Sequence, residues 1–283
     1  MEILDRPEPS KQFIEERQQA MLHIQRIFDN LNASLKDESK CFRWVKTELS
    51  YPSFDDFTFA YRNKIFSVLV EIADIINGEA SFGNEQRVRT LLYECQNNNL
   101  TPCIYPVIKN KSGGYAFWGN IIEGLAPWGC WNLINAVTQK FVDPVAEASD
   151  ELVEVSEWEF QNWAVEIVKE HIQNKGLKLF SYCDVLGVEP NIWFENDKGK
   201  TCWVEVLHTL YPDNDKSFYF SNWPPEVLKY DGYKAVVGFA NADDITNKLY
   251  RNQPAFINFK DLQQIYSAEN KGFFRRFFKK FYN

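Results

Sequence analysis

The sequence predicts an α+β protein, with mixed sheets flanked by helices. Three observations carry that expectation. Residues 11–35 and 157–175 place apolar side chains at helical spacing. Each of these stretches leads into a β-rich hairpin with a short polar turn. The order helix, strand, hairpin, helix, strand then occurs twice along the 283 residues. That length suits one large domain or two smaller ones. The division expected is an N-terminal α+β unit over 1–150, a C-terminal α+β unit over 151–270, and a helical tail over 271–283.

Ser10 is the N-cap of the first helix, whose face is built from Phe13, Met21, Ile24, Phe28, Leu31 and Leu35. Arg17 lies in that stripe, either in a buried ionic contact or snorkelling at the helix end. After Cys41–Glu48, the run DDFTFAYRNKIFSVLVEI forms a hairpin around Arg62-Asn63-Lys64. Its second arm is almost continuously apolar, as in a strand buried on both faces. EQRVRTLLYECQNNNL reads as a helix and PCIYPVIKN as a strand. SGGYAFWG and PWGCWNLINAVTQKFVDP read as hairpins with Gly turns. Ser156-Glu157-Trp158-Glu159 matches a capping box. The face of the helix it starts is Phe160, Trp163, Ala164, Ile167, Val168 and His171, and Gly176 stops it. KLFSYCDVL, PNIWFEND and KGKTCWVEVL are three strands, the last two joined at Asp197-Lys198-Gly199. PPEVLKYDG reads as a short helix, YKAVVGFANAD as a strand, and 245–270 as a helix and turn.

Composition narrows the function classes. The formal net charge is −8, yet 271–283 holds five basic residues and no acid. Residues 1–270 therefore carry 26 basic against 39 acidic side chains, a net −13. An acidic body disfavours non-specific nucleic-acid binding, which Lys and Arg drive, and suits a basic protein partner. No apolar run approaches the length of a membrane span. The acidic start MEILDRPEPS lacks the apolar stretch of a secretory signal, so a cytoplasmic location is expected. Cys41, Cys95, Cys103, Cys130, Cys183 and Cys202 show no CxxC spacing and read as reduced, mostly core thiols. His23, His171 and His208 form no HxxxH or HExxH pattern. P-loop, GxGxxG and GxSxG signatures are absent, and Ser112-Gly113-Gly114 reads as a turn. Trp118, Trp128 and Trp131 read as hairpin packing or a pocket lining.

The two hairpins echo each other. One runs from Asp56 to Glu71, the other from Asn191 to Glu205. Each starts on a short polar side chain and ends on a carboxylate after an apolar run. The expectation is two degenerate copies of one α/β unit, over 10–110 and 156–242.

The stretch Pro190-Asn191-Ile192-Trp193-Phe194, turn, Trp203-Val204-Glu205-Val206-Leu207 resembles the core of the PD-(D/E)XK nuclease superfamily over about 80 residues. The resemblance implies two nuclease-like αβββαβ units. In that family the Asp after Pro and the acid of the next strand hold a divalent cation. A Lys two residues beyond that acid positions water. Converging carboxylates suit a hard cation, which lowers the pKa of water and neutralises charge on phosphate. Here Asn191 replaces the Asp and Leu207 stands at the Lys position. In the other copy Asp56 and Glu71 match the acids and Ala73 replaces the Lys. Lys200 or Lys216 are substitutes for the missing cation. The implied catalytic set is Glu157, Asn191 and Glu205, with Asp56 and Glu71 as equivalents in the other copy. Glu205 and Asp184 are the metal ligands of an active form, with Mg or Mn as the metal. No cofactor is expected otherwise.

In the tail GFFRRFFKKFYN, Phe273, Phe274, Phe277, Phe278 and Phe281 make an aromatic stripe against Arg275, Arg276, Lys279 and Lys280. It docks on the protein's own core, on an anionic membrane surface, or on another protein or nucleic acid. The leading expectation is a catalytically silent nuclease-like scaffold that binds a macromolecular partner. The alternatives are an active metal-dependent nuclease acting on DNA or RNA, and a peripheral membrane protein held by the tail.

Overall fold

The computed structural model describes residues 8–37, 40–76, 79–82, 84–109, 115–117, 131–211 and 223–270. In chain order its elements are α1 (Lys11–Asn32), β1 (Arg43–Lys46), β2 (Phe57–Tyr61), β3 (Lys64–Ile76), β4 (Glu79–Phe82), α2 (Glu85–Asn97), β5 (Thr101–Lys109), β6 (Tyr115–Phe117), β7 (Ile134–Asn135) and α3 (Pro144–Glu147). There follow α4 (Glu157–Asn174), β8 (Lys178–Tyr182), β9 (Ile192–Glu195), β10 (Thr201–Leu210), β11 (Asp231–Asn241), β12 (Ala255–Phe259) and β13 (Gln263–Tyr266). Among the described residues the strands form two mixed sheets. One is ordered β1-β2-β3-β5-β6, with β4 on β3 and β7 on β5. The other is ordered β12-β11-β10-β9-β8, with β13 on β11. The protein is α+β.

The Ser10 hydroxyl accepts from Phe13 N at 3.1 Å, and Ala20, Ile24 and Phe28 of α1 are buried on the first sheet. The helix stops at Asn32, short of Leu35. The Asn32 amide exchanges two hydrogen bonds with the Phe42 backbone, both 2.9 Å, and turns the chain toward β1. Arg62 and Asn63 close the β2–β3 hairpin, Arg62 with φ 47°, and Lys64 already pairs with Tyr61. β3 then pairs in parallel with β5, the sense that the α2 crossover imposes. The second sheet follows the same scheme: β8–β9 and β9–β10 are antiparallel, and β10–β11 is parallel.

Two elements differ from expectation. Residues 245–270 hold β12, β13 and a 3-10 turn at Ala268–Asn270 in place of the helix. Pro254 supplies no backbone donor, and the alternation after it fits a pleat better than a helix. The short helix in PPEVLKYDG is only a 3-10 turn, Val227–Lys229.

α4 has two buried faces. Phe160, Ala164, Val168 and Ile172 pack on the second sheet. Trp158, fully buried, enters a core with Phe54, Leu69, Leu91 and Ile104 of the first unit, its ring 5.6 Å from that of Phe54. His171, expected on the apolar face, pairs with Asp261 nearer the surface, at 2.9 Å. Cys95, Cys103, Cys183 and Cys202 are buried free thiols and Cys41 is half-buried. Burial pushes the Cys183 thiol up to about 12 and the Cys202 thiol up to about 11. Among the described residues, no helix is long and apolar enough to cross a membrane. The tail residues Phe274, Arg275, Arg276, Phe277, Phe278, Lys279 and Lys280 lie outside the described residues, as do Lys216, Trp118, Trp128, Cys130 and Ser112-Gly113-Gly114.

Candidate functional site

Asp56 opens β2, and its backbone N donates to Val68 O at 2.8 Å. Its Oδ2 accepts from Val70 N at 2.8 Å and its Oδ1 from Arg87 of α2 at 2.6 Å. The other arm of the Arg87 guanidinium reaches Glu71 Oε1 at 2.8 Å. The two acids singled out from the sequence do converge, and a guanidinium bridges them. Both carboxylates are buried, whereas the Arg87 side chain is 34% exposed. Burial raises the carboxyls of Asp56 and Glu71, with Arg87 pulling against that shift. Arg17, on the buried stripe of α1, donates from Nε to Asp56 O at 2.8 Å and from its guanidinium to Thr47 O. It is neither snorkelling nor held only by an ion pair, because backbone carbonyls receive its protons.

Asn191 occupies the matching place in the second hairpin. Its N donates to Val204 O at 3.0 Å, and its Oδ1 accepts from Val206 N at 2.7 Å. Its Nδ2 donates to Val188 O at 3.0 Å. Asp56 and Asn191 are thus equivalent hydrogen-bonding anchors. Glu71 and Glu205 are not equivalent. Val70 corresponds to Val206, so Glu71 corresponds to Leu207, and Glu205 corresponds to the buried Leu69. A two-residue turn in one hairpin and the longer Asn196–Lys200 turn in the other account for the offset.

Glu205 lies beside Lys234 of the parallel neighbour β11, and both are buried. Burial lowers the Lys234 ammonium, and Glu205 opposes the shift. The expected substitutes sit elsewhere or are not described: Lys200 pairs with Glu269, and Lys216 is outside the described residues.

Glu157 and Asp184 do not join Glu205. Alternation along β10 puts Cys202, Val204 and Val206 against α4 and Trp203 against the opposite face, so Glu205 faces away from α4. Glu157 Oε2 bonds His208 Nε2 at 2.7 Å on the α4 side, where His208 Nδ1 meets Gln161 Oε1 at 2.9 Å. Asp184 accepts from Asn162 of α4 at 3.2 Å, from Ser50 at 3.0 Å and from Lys46 at 3.1 Å. Lys46 also reaches Asp55 at 2.8 Å, and Asp55 takes Ser67 at 2.8 Å and Thr58. Burial raises the Asp55 carboxyl, but Lys46, Thr58 and Ser67 outweigh it and hold it below the usual range. The same cluster holds the Lys46 ammonium above its ordinary value against burial. A second tie crosses nearby. Arg251 forks onto Glu159 at 2.7 and 3.0 Å and donates to Asn63 O at 3.0 Å and Asn99 O at 3.1 Å.

A family model described as a domain of unknown function, DUF8840, matches residues 158–265. The match runs from the first turn of α4 to β13. No curated protein matches the chain. No solved structure matches it either.

Sequence reasoning missed Lys46, Asp55, Arg87, Lys234 and Arg251. Arg87 alone left a signal: it lies one helical turn before the buried Leu91, on the sheet-facing stripe of α2. Lys234 and Arg251 become visible only when strand register and loop path are known.

Proposed function

We propose that this protein is a catalytically silent, nuclease-like scaffold that binds a macromolecular partner in the cytoplasm. The observation that carries the reading is the Arg87 guanidinium between Asp56 and Glu71, on the atoms a divalent cation would need. A fixed internal cation neutralises the acids without offering an open coordination position or an activated water. The second anchor, Asn191, spends its amide oxygen on the Val206 N–H and brings no charge. The common strand scheme also supports the nuclease-like half of the reading. In each unit three successive antiparallel strands lead to a strand parallel to the third, with β4 added on β3 in the first unit. The net −13 of residues 1–270 favours a basic protein as partner over nucleic acid.

The Glu205–Lys234 pair favours one other reading, a metal-dependent nuclease in which Lys234 replaces the Lys missing at Leu207. One assay separates the two. The protein is incubated with single- and double-stranded DNA and RNA and Mg²⁺ or Mn²⁺, beside Glu205→Ala. The silent scaffold gives no cleavage above buffer, or a trace equal in both proteins. Cleavage that Glu205→Ala abolishes overturns it and places the chemistry on β10.

A further inference from the structure

The second sheet treats its two edges differently. On β8 the carbonyl of Tyr182 accepts from Tyr51 N at 2.8 Å, so the segment before β2 covers that edge. β12 pairs only with β11, and its other side is open among the described residues. Two hydrogen bonds fix which backbone groups face outward. Phe239 O accepts from Tyr211 N at 2.8 Å, so Phe239 turns its polar groups to β10. The alternate residues of β11 therefore face β12, and Ala242 N donates to Pro254 O at 3.1 Å. Ala240 and Gly238 face Phe256 and Asn258 in the same sense. Ala255, Ile257 and Phe259 are left with N–H and C=O aimed away from the sheet, and no hydrogen bond among the described residues reaches them there. Such a row is a template for a further strand. Its side chains are apolar on both faces. Phe256 is 53% exposed on one face, and Ile257 is 48% exposed on the other, paired with Phe239 beside the half-buried Trp163.

We propose that β12 pairs antiparallel with β12 of a second copy of this chain, about a two-fold axis at Ile257, and so joins the second sheets of the two copies into one. Three observations select a second copy as the occupant. The outward row is centred on Ile257. The axis sets Ile257 against its own counterpart, Ala255 against Phe259 and Phe256 against Asn258. Every outward N–H then meets an outward C=O, and each Phe faces a smaller side chain. The flanks are complementary in charge. Lys260 of one copy falls beside Pro254 of the other, next to Asp243 just past the end of β11, and neither charged side chain has an ion-pair partner in its own chain among the described residues. The row is also bounded. Pro254 offers no N–H, and after Phe259 the chain pairs with β11 again as β13. An isologous contact consumes β12 in both copies, and with β8 covered it closes at two copies instead of growing into a filament. The inference rests on the open edge and not on the silence of the Asp56–Glu71 site.

The test uses the full chain. Sedimentation equilibrium between about 1 and 100 µM should show monomer and dimer in exchange, with Ile257→Lys raising the dissociation constant by about tenfold or more because like charges meet on the axis. Lys260→Glu should weaken the dimer, and Asp243→Lys in the same chain should restore it. Disulfide formation reads the register. Ile257→Cys links two copies, since directly paired residues stand about 5.5 Å apart. Asn258→Cys lies more than about 7 Å from its own counterpart, so it does not link to itself, but it links to Phe256→Cys when the two proteins are mixed. Circular dichroism of each variant checks the fold, and if Ile257→Lys fails to fold the cysteine variants decide alone. Monomer at every concentration, with no link through Ile257→Cys, overturns the proposal. So does a dimer that a folded Ile257→Lys leaves intact, or one that links Asn258→Cys to itself as fast as Ile257→Cys, because the contact then lies elsewhere. Growth beyond two copies overturns the closed two-fold.

Discussion

Arg87 shows how one side chain changes the meaning of two others. Asp56 and Glu71 are close enough to share a cation, and the protein supplies that cation from α2. Removing it leaves two buried carboxylates facing each other without a counter-charge. Arg87→Ala is therefore expected to destabilise the fold by about 1–3 kcal/mol, with the partial exposure of Arg87 keeping the loss moderate. The loss depends on pH in a stated direction. Both carboxyls have folded-state pKa values raised by burial, and removal of Arg87 raises them further. A raised carboxyl favours the fold below its unfolded pKa and loses that contribution as pH rises through the folded value. Thermal melts of the parent and Arg87→Ala at pH 5 and pH 8 should show the smaller gap at pH 5. Equal gaps would contradict the assignment of Arg87 as their counter-charge.

α4 shows the same economy in an element. Ser156 and Glu159 form a complete capping box: Ser156 Oγ accepts from Glu159 N at 3.3 Å, and Glu159 Oε2 accepts from Ser156 N at 3.0 Å. The sequence motif predicts that much. Glu159 also receives the Arg251 fork, so the cap is tied to the β11–β12 connection and, through Asn63 and Asn99, to the first unit. Ser10, the cap of α1, is an exposed cap with no comparable second role. Ser156→Ala should cost about 1–2 kcal/mol, at the upper end for a lost cap, and Ser10→Ala less. Urea unfolding of the two variants checks this; a larger loss for Ser10→Ala would detach the cap from the Arg251 network.

The whole molecule is held as one body by polar groups that neither unit satisfies alone. Lys46 and Asp55 come from the first unit, and Asp184 and Asn162 from the second. Trp158 carries an α4 side chain into the first unit's core. A single cooperative unfolding transition is therefore expected for both sheets. Asp55 sets its acid limit. Its folded carboxyl lies below the ordinary aspartate range, so its contribution is present above that range and lost as pH falls through the folded value. Asp55→Asn should lower stability by about 2–4 kcal/mol near neutrality, since it breaks a buried ion cluster, and by much less at about pH 3. Circular dichroism melts across that interval check it, and a deficit that does not shrink toward acid would be falsifying.

Local chemistry was legible wherever it is written in neighbouring residues. Periodicity, the Ser10 and Ser156 caps, the Arg62-Asn63 and Asp197–Gly199 turns and the apolar β3 run all act within a few residues, so they gave α1, α2, α4 and the two hairpins. The first member of each anchor pair, Asp56 and Asn191, was readable for the same reason. Their partners were not. The echo paired Glu71 with Glu205, but the true correspondence depends on how many residues each hairpin turn consumes, and register displaces Glu205 to the place of Leu69. Face assignment then separates Glu205 from Glu157 and Asp184, because side chains alternate across a sheet and a strand's covered face is set by what packs on it. The cations Lys46, Arg87, Lys234 and Arg251 meet their carboxylates across 9 to 138 residues of chain or across neighbouring strands. Such pairings are chosen by the close packing of elements and the need to neutralise buried charge, and no spacing along the sequence records them.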